Sequence, residues 1–277
     1  MVTSLPPATI LDTQTRSFPS SIMGGNYQVS TWFPPGYPEP GRKYPVIYLL
    51  DADYLMATVS GIVSCLCWGQ VIPNCMIVGV GHDVRTIDEW WLARAADFLP
   101  PKNPGVVEPD WMQPFMDRRA PDFLGFLKDE LVPFVESTYP ADPTDRCLAG
   151  YSLSGYFSIY SLFHQPDLFQ RYFIGSAVWE HNLPDLLAYE EQLARQRKSL
   201  PVRAFFSVGS LEADQAPCFP RFIEALKRRN YEGFDLETWI IEGENHFTGM
   251  PFAFIRGLRA LFSSHSSPSL PSRNSML

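Results

Sequence analysis

Positive charge is scarce in this chain. Its 22 Lys and Arg stand against 30 Asp and Glu, a net charge of −8 at pH 7. That balance excludes nucleic acid or an anionic membrane as the main partner, since both ask for a basic surface. Long apolar runs are missing too, and nothing approaches the roughly 18 consecutive residues of a membrane span. Cysteines are few. The five (Cys65, Cys67, Cys75, Cys147, Cys218) are an odd number without a C-x-x-C pair. They form no zinc framework and read as reduced thiols in a cytoplasmic protein. The stretch Met1 to Pro7 has no basic region followed by a long apolar one, so no secretory signal is expected there. There is no internal repeat.

What is present is apolar and patterned. With 45% hydrophobic and 14% aromatic residues in 277, the chain carries enough for a large core, which argues against disorder. Residues 26–33 alternate as a half-buried edge strand would. Residues 45–50 and 75–80 are short continuous apolar runs, the mark of parallel strands covered on both faces. Further strands are expected at 146–149, 172–176, 203–208 and 236–241. Helices are expected at 54–69, 121–137, 154–163, 185–198, 217–230 and 251–262. Such alternation predicts an α/β fold with a doubly wound, mostly parallel sheet, in one domain over 1–262. Two stretches stand outside this pattern. Residues 99–121 are rich in proline and read as a lid or pocket loop, and 263–277 read as a disordered tail.

The chemistry concentrates in Cys147-Leu148-Ala149-Gly150-Tyr151-Ser152-Leu153-Ser154-Gly155. A serine at a sharp strand-to-helix elbow needs small residues two positions to either side, because the backbones nearly touch there. Gly150 and Ser154 supply them around Ser152. Ser154 as the nucleophile would require a small residue at 156, which is a tyrosine. The bland alternative for this stretch is a serine-rich turn into an ordinary helix.

A serine nucleophile needs a base, a carboxylate to orient it, and oxyanion donors. Of the five histidines, His246 follows the strand at 236–241 and precedes the last helix. His82 and His181 also follow strands and read as candidates for the pocket rim. His164 lies within a helix and His265 in the tail. The turn after the strand at 203–208 offers Glu212 and Asp214 as the acid. The Leu153 N–H, directly after the nucleophile, is one candidate oxyanion donor. The Asp53 N–H, in the loop after 45–50, is the other, and the plain alternative for that acidic loop is a helix cap.

These residues resemble the putative-esterase branch of the α/β-hydrolases. That branch includes siderophore esterases, S-formylglutathione hydrolases and mycolyltransferases. The resemblance covers roughly residues 26–262. It rests on Val46 to Tyr54 (VIYLLDADY), on Arg94 to Pro100 (RAADFLP), on the elbow, on Val208 to Glu212 (VGSLE), and on Glu242 to His246 with Arg256-Gly257-Leu258. Ala52 and Ser154 each stand where the family has glycine. The resemblance implies a triad of Ser152, His246 and Glu212, an oxyanion hole of the Leu153 and Asp53 N–H groups, and a small-molecule ester as substrate. No metal or organic cofactor is expected.

Trp179, after the strand at 172–176, and Trp111, in the proline-rich loop, are candidate pocket walls. Tyr151 is a candidate substrate contact beside the nucleophile. Arg94 either pairs with Asp97 or, by resemblance, faces the substrate. The competing functions are acyl transfer with the same triad and a non-catalytic binding protein on the same fold. Oligomeric state is left open.

Overall fold

The computed structural model describes residues 9–101, 117–179, 182–213 and 215–263. Eight strands form one sheet: β1 (Thr13–Ser20), β2 (Gly25–Trp32), β3 (Tyr44–Leu49), β4 (Met76–His82), β5 (Ala141–Tyr151), β6 (Arg171–Gly175), β7 (Arg203–Gly209) and β8 (Asp235–Ile241). Their order is β1-β2-β4-β3-β5-β6-β7-β8. The β1–β2 and β2–β4 pairs are antiparallel, and every other pair is parallel. This is the doubly wound, mostly parallel sheet of the α/β-hydrolase fold.

The buried stretches of the central strands are mostly apolar because both of their faces are covered, and alternate residues feed two separate cores. Ile47, Leu49, Cys147, Ala149, Phe173 and Phe205 face α1 (Ala52–Trp68) and α8 (Gly249–Phe262). Tyr48, Leu148, Tyr172 and Phe206 face the other way. There they meet α2 (Ile87–Phe98), α3 (Ala120–Phe126), α4 (Val132–Thr138), α5 (Leu153–His164), α6 (Leu183–Gln196) and α7 (Cys218–Arg229).

Three features depart from the expected pattern. The strand β1 was not anticipated, since its eight residues carry one aromatic (Phe18) among polar neighbours and it lies at the sheet edge. The helix α2 was not anticipated either. The single helix expected at 121–137 is split by a π turn, Leu127–Leu131, just before Pro133, which has no N–H to offer the preceding turn. The expectations for most of the proline-rich loop, Trp111 included, and for the tail from 264 onward fall outside the described residues. Among those described, no helix is long and apolar enough to cross a membrane, and no cluster of His, Cys, Asp or Glu is arranged to hold a metal.

Candidate active site

Strand β5 ends at Tyr151 and α5 begins at Leu153, so Ser152 alone carries the reversal, with φ 62° and ψ −124°. A non-glycine residue holds so strained a conformation only when its surroundings impose it. They do. A Cβ on Gly150 would lie 2.2 Å from the Ser154 carbonyl oxygen, and one on Gly155 would lie 2.8 Å from that of Gly175. Ser154, in the place of a glycine, is fully buried and ties the elbow to itself: its Oγ donates to the Tyr151 carbonyl (2.8 Å) and accepts the Tyr151 N–H (3.0 Å). The hydroxyl is therefore accommodated as an internal brace.

His246 comes from the loop between β8 and α8, and Glu212 from the turn after β7. Their loops fit only because Gly209 is bare, since a Cβ there would sit 2.4 Å from the Glu244 carbonyl oxygen. Glu244 in turn accepts the Leu211 N–H. Glu212 Oε2 accepts the His246 Nδ1–H at 2.8 Å, while Oε1 accepts the Ser176 hydroxyl and the Gly209 N–H, both at 2.7 Å. Burial works to raise the Glu212 pKa, but the bonds from His246, Ser176 and Gly209 outweigh it and hold the carboxyl below its ordinary value. Glu212 thus stays ionised and fixes Nδ1 as the protonated nitrogen, which leaves Nε2 with its lone pair. The loop carrying His246 is anchored to the elbow by Tyr151, whose hydroxyl donates to the His246 carbonyl at 2.7 Å.

Ser152 and His246 line one cleft of about 340 Å³ together with Asp51, Tyr54, Leu55, Ile87, Trp90, Trp91, Arg94, Tyr151, Phe247 and Met250. Among the described residues Ser152 Oγ makes no hydrogen bond. The Leu153 N–H is at the first position of α5, and the Asp53 N–H is in the first turn of α1, where helix donors lack partners within the helix. Ala52 needs no glycine freedom, because the left-handed turn falls one residue earlier, at Asp51 (φ 53°). Its methyl seats against Gly79, where a Cβ would meet it at 2.7 Å.

Several sequence-based assignments change. Trp179 is not a pocket wall. It is fully buried and packs on Phe206, Phe219 and Phe222, since its side chain turns into the core below the sheet end. Arg94 does not pair with Asp97. Although it borders the cleft, its guanidinium forks onto Asp51 (Nε to Oδ1 2.8 Å, Nη2 to Oδ2 2.6 Å) beneath the rings of Trp90 and Trp91. His82 is buried rather than at the rim. Trp111, His181 and Asp214 lie outside the described residues. The aromatic walls Trp90 and Trp91 were missed, although Thr86-x-x-Glu89 announces their helix as a capping box: Thr86 Oγ1 accepts the Glu89 N–H at 3.2 Å.

Sheet order, elbow and cleft define an α/β-hydrolase. The Esterase family model, described as putative esterase, matches residues 20–248, and the chain belongs to that family. It is a carboxylic-ester hydrolase. Ferri-bacillibactin esterase BesA of Bacillus subtilis (strain 168) is 29% identical over 239 residues, which span 81% of this chain and 81% of that protein. The crystal structure of the BES protein from Bacillus cereus superposes with a TM-score of 0.81 at 26% identity, covering 95% of this chain and 100% of the other. Siderophore hydrolase EstA from Aspergillus nidulans shares the fold, with a TM-score of 0.77 at 20% identity over 92% and 97% of the two chains.

Proposed function

We propose that the chain cleaves its ester through an acyl-serine intermediate. Ser152 attacks the carbonyl carbon while His246 Nε2 takes the hydroxyl proton. Glu212 holds the ring and stabilises the imidazolium. The Leu153 and Asp53 N–H groups receive the developing oxyanion. His246 then returns the proton to the leaving alcohol, and water, activated by the same nitrogen, releases the acid. The observation that carries this reading is the 2.8 Å Glu212–His246 bond at a cleft shared with the strained Ser152. The His246 side chain is 30% exposed, which gives water access to the acyl enzyme and favours hydrolysis over transfer to an alcohol.

The substrate class is a small ester with apolar or aromatic bulk. Apolar and aromatic side chains, Tyr54, Ile87, Trp90, Trp91 and Phe247 among them, form most of the cleft wall, the usual make-up of a small-molecule site. The named activities of BesA and EstA make a siderophore-type lactone the first substrate to try. Aryl esters of graded chain length, tested beside a metal-free and a ferric trilactone, settle the preference. Ser152→Ala should abolish hydrolysis of all of them. Loss in Ser154→Ala with activity retained in Ser152→Ala would move the nucleophile and overturn the assignment.

A further inference from the structure

The turn that carries Asp53 rests on a buried charge network which the reaction itself does not use. Gly79 and Gly81 lie on one face of β4, and the start of α1 fits against them: a Cβ on Gly81 would meet the Asp53 carboxylate at 2.8 Å. That carboxylate accepts the His82 backbone N–H (2.9 Å to Oδ2, 3.1 Å to Oδ1) and lies 3.4 Å from the ring Nδ1. On the far side of the ring, Nε2 lies 3.1 Å from Asp97 Oδ2 in α2. The same oxygen accepts the Tyr27 hydroxyl from β2 at 2.6 Å, and Asp97 Oδ1 accepts Arg119 Nη2, just before α3, at 3.2 Å. Both imidazole nitrogens therefore face carboxylates, and the ring is almost wholly removed from water.

We infer that His82 is a positioning residue for ester hydrolysis: as an imidazolium between Asp53 and Asp97 it locks the oxyanion turn to α2, and loss of its proton releases that turn. The inference rests on the proposed role of the Asp53 N–H. Two carboxylates converging on one buried ring need a positive charge between them, because neutral imidazole donates from only one nitrogen. Burial by itself would lower the His82 pKa, but the bonds to Asp53 and Asp97 outweigh it and push it up to about 9. Arg119 pairs with Asp97 from the side away from the ring, and Tyr27 keeps its proton: burial and Asp97 raise its pKa, Glu130 of the π turn adds to the rise, and Arg119 only partly offsets it. A parallel tie runs from the same helix, since Arg94 forks onto Asp51, so α2 grips the turn at both ends.

The test is the pH dependence of kcat for an aryl ester, corrected for spontaneous hydrolysis, between pH 7 and 10. In the wild type kcat should fall through an alkaline limb near pH 9, with KM changing less. His82→Gln should lower kcat on the order of tenfold at pH 7.5 and remove the limb, in keeping with a misplaced oxyanion donor. Asp97→Asn removes one of the charges that hold the proton, so it should move the limb to lower pH. A role confined to stability would leave the limb where it is. A wild-type profile flat to pH 10, or a limb unmoved in Asp97→Asn, overturns the inference. Ser152→Ala keeps the two readings apart: activity retained there overturns the serine mechanism, whereas activity lost there beside a flat wild-type profile overturns only the role of His82.

Discussion

Two histidines in this molecule sit beside carboxylates and serve opposite ends. His246 has one nitrogen held by Glu212, and its ring opens on the cleft with 30% of the side chain exposed. His82 has both nitrogens facing carboxylates and a side chain 5% exposed. The number of partners decides the chemistry. A ring tied at one nitrogen keeps a lone pair at the other and can take a proton. Tied at both, it holds its proton and acts as a strut. Charge placed beside a histidine is therefore not a sign of catalysis until the second nitrogen has been followed.

The sharpest way to break the comparison is to remove each ring in turn. His246→Ala should cost about 10⁴-fold or more in kcat, because in the proposed mechanism serine and base act as a unit. His82→Gln should cost far less at neutral pH. Equal losses would erase the distinction. Next in size is the partner of the exposed ring. Glu212→Gln keeps the volume and removes the charge, and about a 10²-fold loss of kcat with little change in KM is expected, measured on the same aryl ester.

The tryptophans offer a third contrast. Trp179→Ala should lower stability by about 3–5 kcal/mol, as for a large aromatic removed from a packed core, with ester preference unchanged. Trp91→Ala, at an exposed cleft wall, should do the reverse, shifting chain-length preference at nearly unchanged Tm. Thermal melts and the ester series decide both.

A last effect is on stability against pH. The His82 pKa is raised in the folded protein, so its contribution is complete below the unfolded value near 6.5 and is lost as pH rises through about 9. Up to about 3 kcal/mol should disappear across that window, visible in urea melts of the wild type and absent in His82→Gln.

How much of this was legible in the residues follows from range. The elbow and the loops of Glu212 and His246 are each set by a few neighbours in sequence, and the buried parallel strands show as continuous apolar runs, so both could be read. The Arg94–Asp51 fork joins residues 43 apart, and the nearer Asp97 drew attention because helical spacing is visible and tertiary pairing is not. Trp179 follows a strand end, where the chain can send a side chain toward the cleft or down into the core. The composition around it does not distinguish the two. The helix α2 was readable from Thr86 and Glu89, and overlooking that cap hid Trp90 and Trp91 as cleft walls.

The central claim is that Ser152 is the nucleophile, and covalent labelling tests it most directly. The wild-type chain would be treated with a fluorophosphonate, digested, and its peptides mapped by mass spectrometry. A single adduct on Ser152, formed much more slowly in His246→Ala, is the predicted result. An adduct on Ser154 or another serine, or no adduct in a chain that still hydrolyses esters, would contradict it.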